Sequence, residues 1–170
     1  MTLYTLNDNE DRLEDFSLNE LTRFIVEAKK KTFASGIKSI LSPRLGFKEL
    51  SFRKNNFSYR DKYFGNTIDI GQEIVWYKKK PIWGMNYRGG MESGYENIRE
   101  KTFSFLKKAL KKVNFSKPFR GPSFLKDEDF QYHNKFTGNV TEFSGNEFIM
   151  FKNEKVYSRK YFGGLIIDIR

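Results

Sequence analysis

The segment "YRDKYFGNTIDIGQEIVWYKKKPIWGMNYRGG", from Tyr59 to Gly90, returns later as "YHNKFTGNVTEFSGNEFIMFKNEKVYSRKYFGG", from Tyr132 to Gly164. Identities run through Phe57/Phe130, Tyr59/Tyr132, Lys62/Lys135, Gly65/Gly138 and Asn66/Asn139. After one inserted residue they continue through Gly71/Gly145, Glu73/Glu147, Lys78/Lys152, Tyr87/Tyr161, Gly89/Gly163 and Gly90/Gly164. The mismatches keep apolar character, with Ile74 against Phe148, Val75 against Ile149 and Trp83 against Tyr157. A repeat of this length obliges the chain to build the same supersecondary unit twice. Two copies are too few for a solenoid, so the copies have to pack on each other.

Local signals give each copy the same plan. "SLNE" from Ser17 to Glu20 is a capping box, and apolar residues recur at Leu18, Leu21, Ile25 and Ala28, which predicts a helix over 18–32. "SGYE" from Ser93 to Glu96 reads as a second capping box, opening a helix with Phe103, Leu106, Leu110 and Val113 on one face. Each helix precedes one copy of the repeat, and each copy reads as an antiparallel meander. "FSYRDKYF" alternates in period two, and Gly-Asn pairs mark turns at Gly65 and Gly138. "EIVWY" and "EFIMF" are apolar at successive positions, which predicts central strands covered on both faces. A Lys-rich turn then leads to "PIWGMNY" and "VYSRKY", each ending at Gly-Gly. The expected fold is α+β, a duplicated unit of one helix followed by about four strands with pseudo-two-fold symmetry. Residues 1–16 form an acidic segment, and 17–170 form one domain made of the repeats 17–92 and 93–170.

Composition suits one domain with a sizeable core: 170 residues, 18 of them Phe. The chain has no cysteine, which removes disulfides and thiolate metal sites and points to a reducing cytoplasm. It has no run of about 18 apolar residues and no basic, apolar start, so neither a membrane span nor a secretory leader is expected. The net charge of +10 is unevenly spread, since Asp8, Glu10, Asp11, Glu14, Asp15 and Glu20 face only Arg12 in the first stretch. The remainder is strongly basic and suits an acidic partner, either nucleic acid or an acidic protein surface. Lys107, Lys108, Lys111 and Lys112 on the second helix are the candidate residues for it.

The repeat also nominates a ligand site. Two fused copies leave a junction lined by equivalent residues, and strand alternation puts Trp83, Met85 and Tyr87 on one face, matched by Tyr157, Arg159 and Tyr161. Such an aromatic-lined cleft fits a flat or cationic small molecule. Glu73 and Glu147 each begin the most apolar strand of their copy, where a buried carboxylate needs a partner. They are read either as caps that accept backbone N–H bonds or as a carboxylate pair able to bind a cation or exchange protons. His133 is the only histidine, so no catalytic triad or zinc site is expected, and no cofactor fingerprint is present. "RGP" at Arg120 to Pro122 reads as a loop leaving the second helix.

"FIVEAKKKTFASG", "YRDKYFG", "GQEIVWYKKKPIWGMNYRGG", "RGP" and "GNEFIMF…YFGGLI" together resemble a bacterial and archaeal family known as domain of unknown function 5680. The resemblance spans about residues 21–167, with "WGMNY" its most specific stretch. Some relatives carry the domain behind a helix-turn-helix, which implies an effector-binding role. The family supplies no catalytic residues to carry over. Three classes stay open: a non-enzymatic binding module with an aromatic cleft, a basic interaction protein, and an enzyme using the paired carboxylates.

Overall fold

Ser17 and Glu20 cap the first helix reciprocally: the Glu20 amide donates to Ser17 Oγ at 3.1 Å and the Ser17 amide donates to Glu20 Oε2 at 2.8 Å. The computed structural model describes residues 12–13, 16–36, 39–41 and 46–167, so most of the acidic segment expected over 1–16 lies outside the described residues. A short ladder of β1 (Arg12–Leu13) with β2 (Phe16–Ser17) precedes α1 (Leu18–Lys31) and a 3-10 turn at Phe33–Ser35. Then come β3 (Ile40–Leu41), β4 (Lys48–Lys54), β5 (Phe57–Gly65), β6 (Ile68–Tyr77) and β7 (Lys80–Met91). The second half has α2 (Arg99–Leu110), β8 (Phe124–Asp127), β9 (Phe130–Asn139), β10 (Glu142–Phe151) and β11 (Glu154–Leu165). The second capping box does not form. Gly94 and Glu96 make a local turn, the Gly94 amide donating to the Glu96 carboxylate at 3.0 Å, and a 3-10 turn at Glu96–Ile98 precedes an α2 without a side-chain cap.

One nine-stranded sheet runs β3-β4-β5-β6-β7-β11-β10-β9-β8, and every pair in it is antiparallel. This exceeds two meanders of about four strands by the edge strand β3, and the β1-β2 ladder stands apart. The α+β class holds. Repeated residues have matching registers: Gly71 lies opposite Tyr87 on one side, and Gly145 opposite Tyr161 on the other. Both central hairpins shift register at equivalent points, between Val75 and Trp76 and between Ile149 and Met150. Their turns use left-handed pairs with nearly equal dihedrals, φ 47° and 70° at Lys78-Lys79 and φ 48° and 70° at Lys152-Asn153. Such primed turns match the right-handed twist of the strands. At the centre β7 meets β11 with Tyr87 opposite Tyr161, Met85 opposite Gly163 and Gly89 opposite Arg159.

The two faces of the sheet differ, and here the sequence expectation fails. β6 and β10 bury alternate residues only: Asp69, Glu73 and Val75 on one, Phe143, Glu147 and Ile149 on the other. Both helices cover this same face. Leu21, Phe24, Ile25 and Ala28 of α1 pack over Tyr59, Val75, Trp83 and Met85. Phe105, Leu106, Ala109 and Leu110 of α2 pack over Tyr132, Ile149 and Tyr157. Among the described residues no element lies over the opposite face, where Ile70 is 56% exposed and Phe162 is 59% exposed. The apolar runs in β6 and β10 therefore reflect one buried face and one half-exposed face that carries rings.

Gly71 and Gly145 are repeated because a tyrosine ring from the next strand crosses each of them. A Cβ at Gly71 would fall on the far end of the Tyr87 ring, and one at Gly145 on that of Tyr161, well inside van der Waals contact. Gly71→Ala is expected to displace the Tyr87 hydroxyl and to cost about 2 kcal/mol in chemical denaturation. A neutral result would mean that the ring has room to turn aside.

Candidate functional site

The covered face carries a buried polar network with one related set of bonds in each half. In the second half the Arg120 guanidinium grips Glu147, with Nη2 to Oε1 at 2.5 Å and Nε to Oε2 at 3.1 Å. The Tyr132 hydroxyl donates to Glu147 Oε2 at 2.6 Å and the Tyr157 hydroxyl to Oε1 at 3.1 Å. The Tyr161 hydroxyl donates to Asn134 Oδ1 at 2.8 Å. In the first half Lys29 of α1 bonds Glu73, and the Tyr87 hydroxyl donates to Asp61 Oδ1 at 2.6 Å. The cation thus comes from a helix in one half and from the loop after α2 in the other.

The halves differ in charge. Asp61 stands where the second half has the neutral Asn134, and it lies directly opposite Glu73 on the neighbouring strand. Its carboxyl is pushed up to about 7 by burial and by the adjacent Glu73 charge, against the Tyr87 hydrogen bond and the Lys29 cation. A second charged pair joins the two halves and has no symmetry-related counterpart. Arg159 Nη2 donates to both Asp69 oxygens at 2.6 Å, whereas the repeat puts Met85 and Phe143 at the matching positions. Burial pushes the Lys29 ammonium down, although Glu73 pulls it up. Tyr59, Tyr87 and Tyr132 are pushed up by burial and by the neighbouring carboxylates, so their hydroxyls stay protonated donors.

These groups line a cavity of about 30 Å³ between α1, the turn at Phe33–Ser35, the loop at Phe119–Arg120 and the sheet. Lys29, Asp61, Asp69, Glu73, Tyr87 and Arg159 all face it. That volume holds about two waters and no larger guest unless the wall moves. Arg159 is 5% exposed, and its Nε is a buried donor without a partner. An unmet buried N–H costs about 1–3 kcal/mol and identifies a place where an acceptor is wanted.

The expected site residues are all in place but arranged differently. Trp83, Met85, Tyr87, Tyr157, Arg159 and Tyr161 share the covered face, yet each is at most 5% exposed, so they make a packed wall and not an open aromatic cleft. Glu73 and Glu147 do not form a carboxylate pair. β6 and β10 are separated by β7 and β11, roughly 14 Å at the spacing of strands, and the registers set Glu73 level with Phe143, which offsets it from Glu147 along the strands as well. Side chains, rather than backbone N–H groups, satisfy them. The carboxylate that does face Glu73 is Asp61. Sequence reasoning passed over Asp61, Asp69, Lys29 and Arg120; the signal available was Asp61 aligned with Asn134 between the repeated Tyr59/Tyr132 and Lys62/Lys135.

Of the four lysines expected on the second helix, Lys108 bonds Asp127 at 2.6 Å and Lys107 lies over the Phe33 ring at 5.6 Å, while Lys111 and Lys112 are exposed in the turn after α2 ends at Leu110. His133 stacks on Phe148, centroids 4.6 Å apart, on the open face. Among the described residues no group of acidic or histidine side chains could hold a metal, and no helix is long and apolar enough to cross a membrane. No curated protein and no solved structure matches the chain. A family model described as "Domain of unknown function (DUF5680)" matches residues 61–166, which include the second half of β5, all of β6 to β11 and the network except Lys29 and Tyr59. The chain belongs to this family.

Proposed function

We propose that the protein is a non-enzymatic binding module made of two duplicated helix-and-meander units related by a pseudo-two-fold axis between Tyr87 and Tyr161. In this reading the ligand site is the first unit's network completed by Arg159 of the second unit, and the bonds around Glu147 serve as scaffold. The observation that carries it is Arg159, which lines a cavity shared with Asp61 and whose buried Nε has no partner. The second unit closes its network with a neutral Asn134 and a bidentate Arg120–Glu147 pair. The network around Glu73 holds a carboxyl poised near neutrality, Asp61 of the first unit, and faces Arg159, whose unmet Nε is brought to it by β11 of the second unit. The ligand is therefore a small polar molecule that offers an acceptor oxygen to Arg159 and a donor to Asp61, and larger guests enter by displacing the turn at Phe33–Ser35.

Native mass spectrometry of protein purified from cells, followed by thermal-shift measurements with a panel of small amines, amides and hydroxy acids, tests this reading. The control is the double variant Arg159→Met with Asp69→Phe, which installs the residues found at the matching positions of the repeat, Met85 and Phe143. At least one compound is expected to raise the melting temperature of the wild type and to leave the double variant unmoved. A shift of equal size in both proteins, or no shift from any compound, removes the cavity as the binding site.

A further inference from the structure

The open face of the sheet carries a second pattern, independent of the cavity. Directly opposed residues on neighbouring strands share a face, so Phe64, Ile70, Arg88, Lys160, Asn146 and Lys135 form one row across β5, β6, β7, β11, β10 and β9. Arg88, Lys160 and Lys135 make a cationic band about 15 Å long over three strand spacings. Rings flank the band on both sides. Phe162 lies in the row on one side, opposite Asn86 and Ser144, and the stacked pair of Phe148 and His133 lies in the row on the other. Arg88, Lys135, Lys160, Phe148 and Phe162 border an open groove of about 870 Å³. Among the described residues the acids on this face are Glu49, which pairs with Arg60 at 3.2 Å, Glu92 just after β7, which accepts from Ser158 Oγ at 2.7 Å and pairs with Lys155 at 3.7 Å, and Glu142 at the far end of β10.

We propose that this face binds single-stranded nucleic acid, its phosphates on Arg88, Lys160 and Lys135 and its bases stacked on Phe162 and on the Phe148 and His133 pair. Exposed rings beside a cationic track are the two components that sequence-tolerant strand binding requires. Asn86, Asn146 and Gln72 add amides that can bond base edges. A second copy of the chain fits poorly as the occupant. Arg88 and Lys160 are paired at the centre of the sheet, so an isologous contact through this face sets cations against cations. An acidic protein would use the cations and leave the rings without a role. A duplex presents no free bases for the rings to stack on.

Fluorescence anisotropy with a labelled oligothymidylate of about 20 nucleotides, titrated with the full chain from about 50 mM salt upward, tests the proposal. Binding is expected to weaken with salt and to be tighter than that of a duplex of equal length or of polyglutamate. Arg88→Gln with Lys160→Gln is expected to weaken it at least tenfold and to reduce the salt slope by about 1.4. Phe162→Ala is expected to weaken it on the order of tenfold with the slope unchanged, because stacking releases no counterions. Circular dichroism should show all variants folded, since these side chains lie on the uncovered face. Four results would overturn the proposal: no binding at the lowest salt; equal binding of polyglutamate; loss on changing Lys107, Lys108, Lys111 and Lys112 to Gln but not on changing Arg88 and Lys160; or a dimer in sedimentation that Phe162→Ala dissociates.

Discussion

Arg120→Met is expected to destabilise the protein by about 3–5 kcal/mol at pH 8, because it leaves Glu147, 0% exposed, as a buried charge stripped of its bidentate partner. The pH dependence carries more information than the size. In the wild type, burial pushes the Glu147 carboxyl up, but the Arg120 charge and hydrogen bonds outweigh it and hold the carboxyl below its usual value. A depressed native pKa adds stability above the unfolded value, and that stability is lost as pH falls through the native one. In the variant burial acts without Arg120, the native pKa rises, and the sign reverses: stability falls as pH climbs above the unfolded carboxylate value. The deficit relative to the wild type should therefore be largest at pH 8 and much smaller near pH 4. Urea unfolding at the two pH values measures it. A deficit that does not change with pH would show that the substitution disturbs packing and that the ion pair contributes little.

Asp61→Asn is expected to have the opposite effect and to stabilise the protein by on the order of 2 kcal/mol at pH 8. The Asp61 carboxyl has a native pKa of about 7 against an ordinary value of 3.8, so between these values the native state holds a proton that the unfolded chain has released. Stability is thus undiminished below the ordinary value and declines as pH rises towards 7. Asn carries no such penalty, and its Oδ1 can accept from Tyr87 as Asn134 accepts from Tyr161. It also balances the network, setting Lys29, Arg120 and Arg159 against Glu73, Glu147 and Asp69. The gain should vanish near pH 4, where Asp61 is protonated in both states. A residue whose removal stabilises the fold is kept for another reason, and in the proposed function that reason is the ligand. The variant should be more stable and bind less. Thermal melts across pH 4–8, with and without the compound found in the ligand screen, measure both. Stabilisation with unimpaired binding would remove Asp61 from the site.

Much of this architecture was legible in the repeat. Period-two alternation, turn glycines and the Ser17 and Glu20 capping box act within a few residues of chain, so α1, the meanders and the shared face of Trp83, Met85 and Tyr87 could be read locally. The repeated Glu73/Glu147 and Tyr87/Tyr161 likewise marked the network, because similar strand segments set similar groups at matching register positions. Which partner each carboxylate takes was decided only in three dimensions. Lys29 reaches Glu73 from a helix and Arg120 reaches Glu147 from a loop, and neither approach leaves a periodic trace in the chain. Tertiary structure also set the asymmetry on which the proposed function rests. Asp61 and Asn134 differ by one charge at matching positions, and that difference gained meaning once Glu73 was found directly across the ladder in a buried site. The side of the sheet that the helices cover was a tertiary outcome as well. Alternation assigns residues to two faces, but the packing of both helices on the same one left the Arg88 and Lys160 face open.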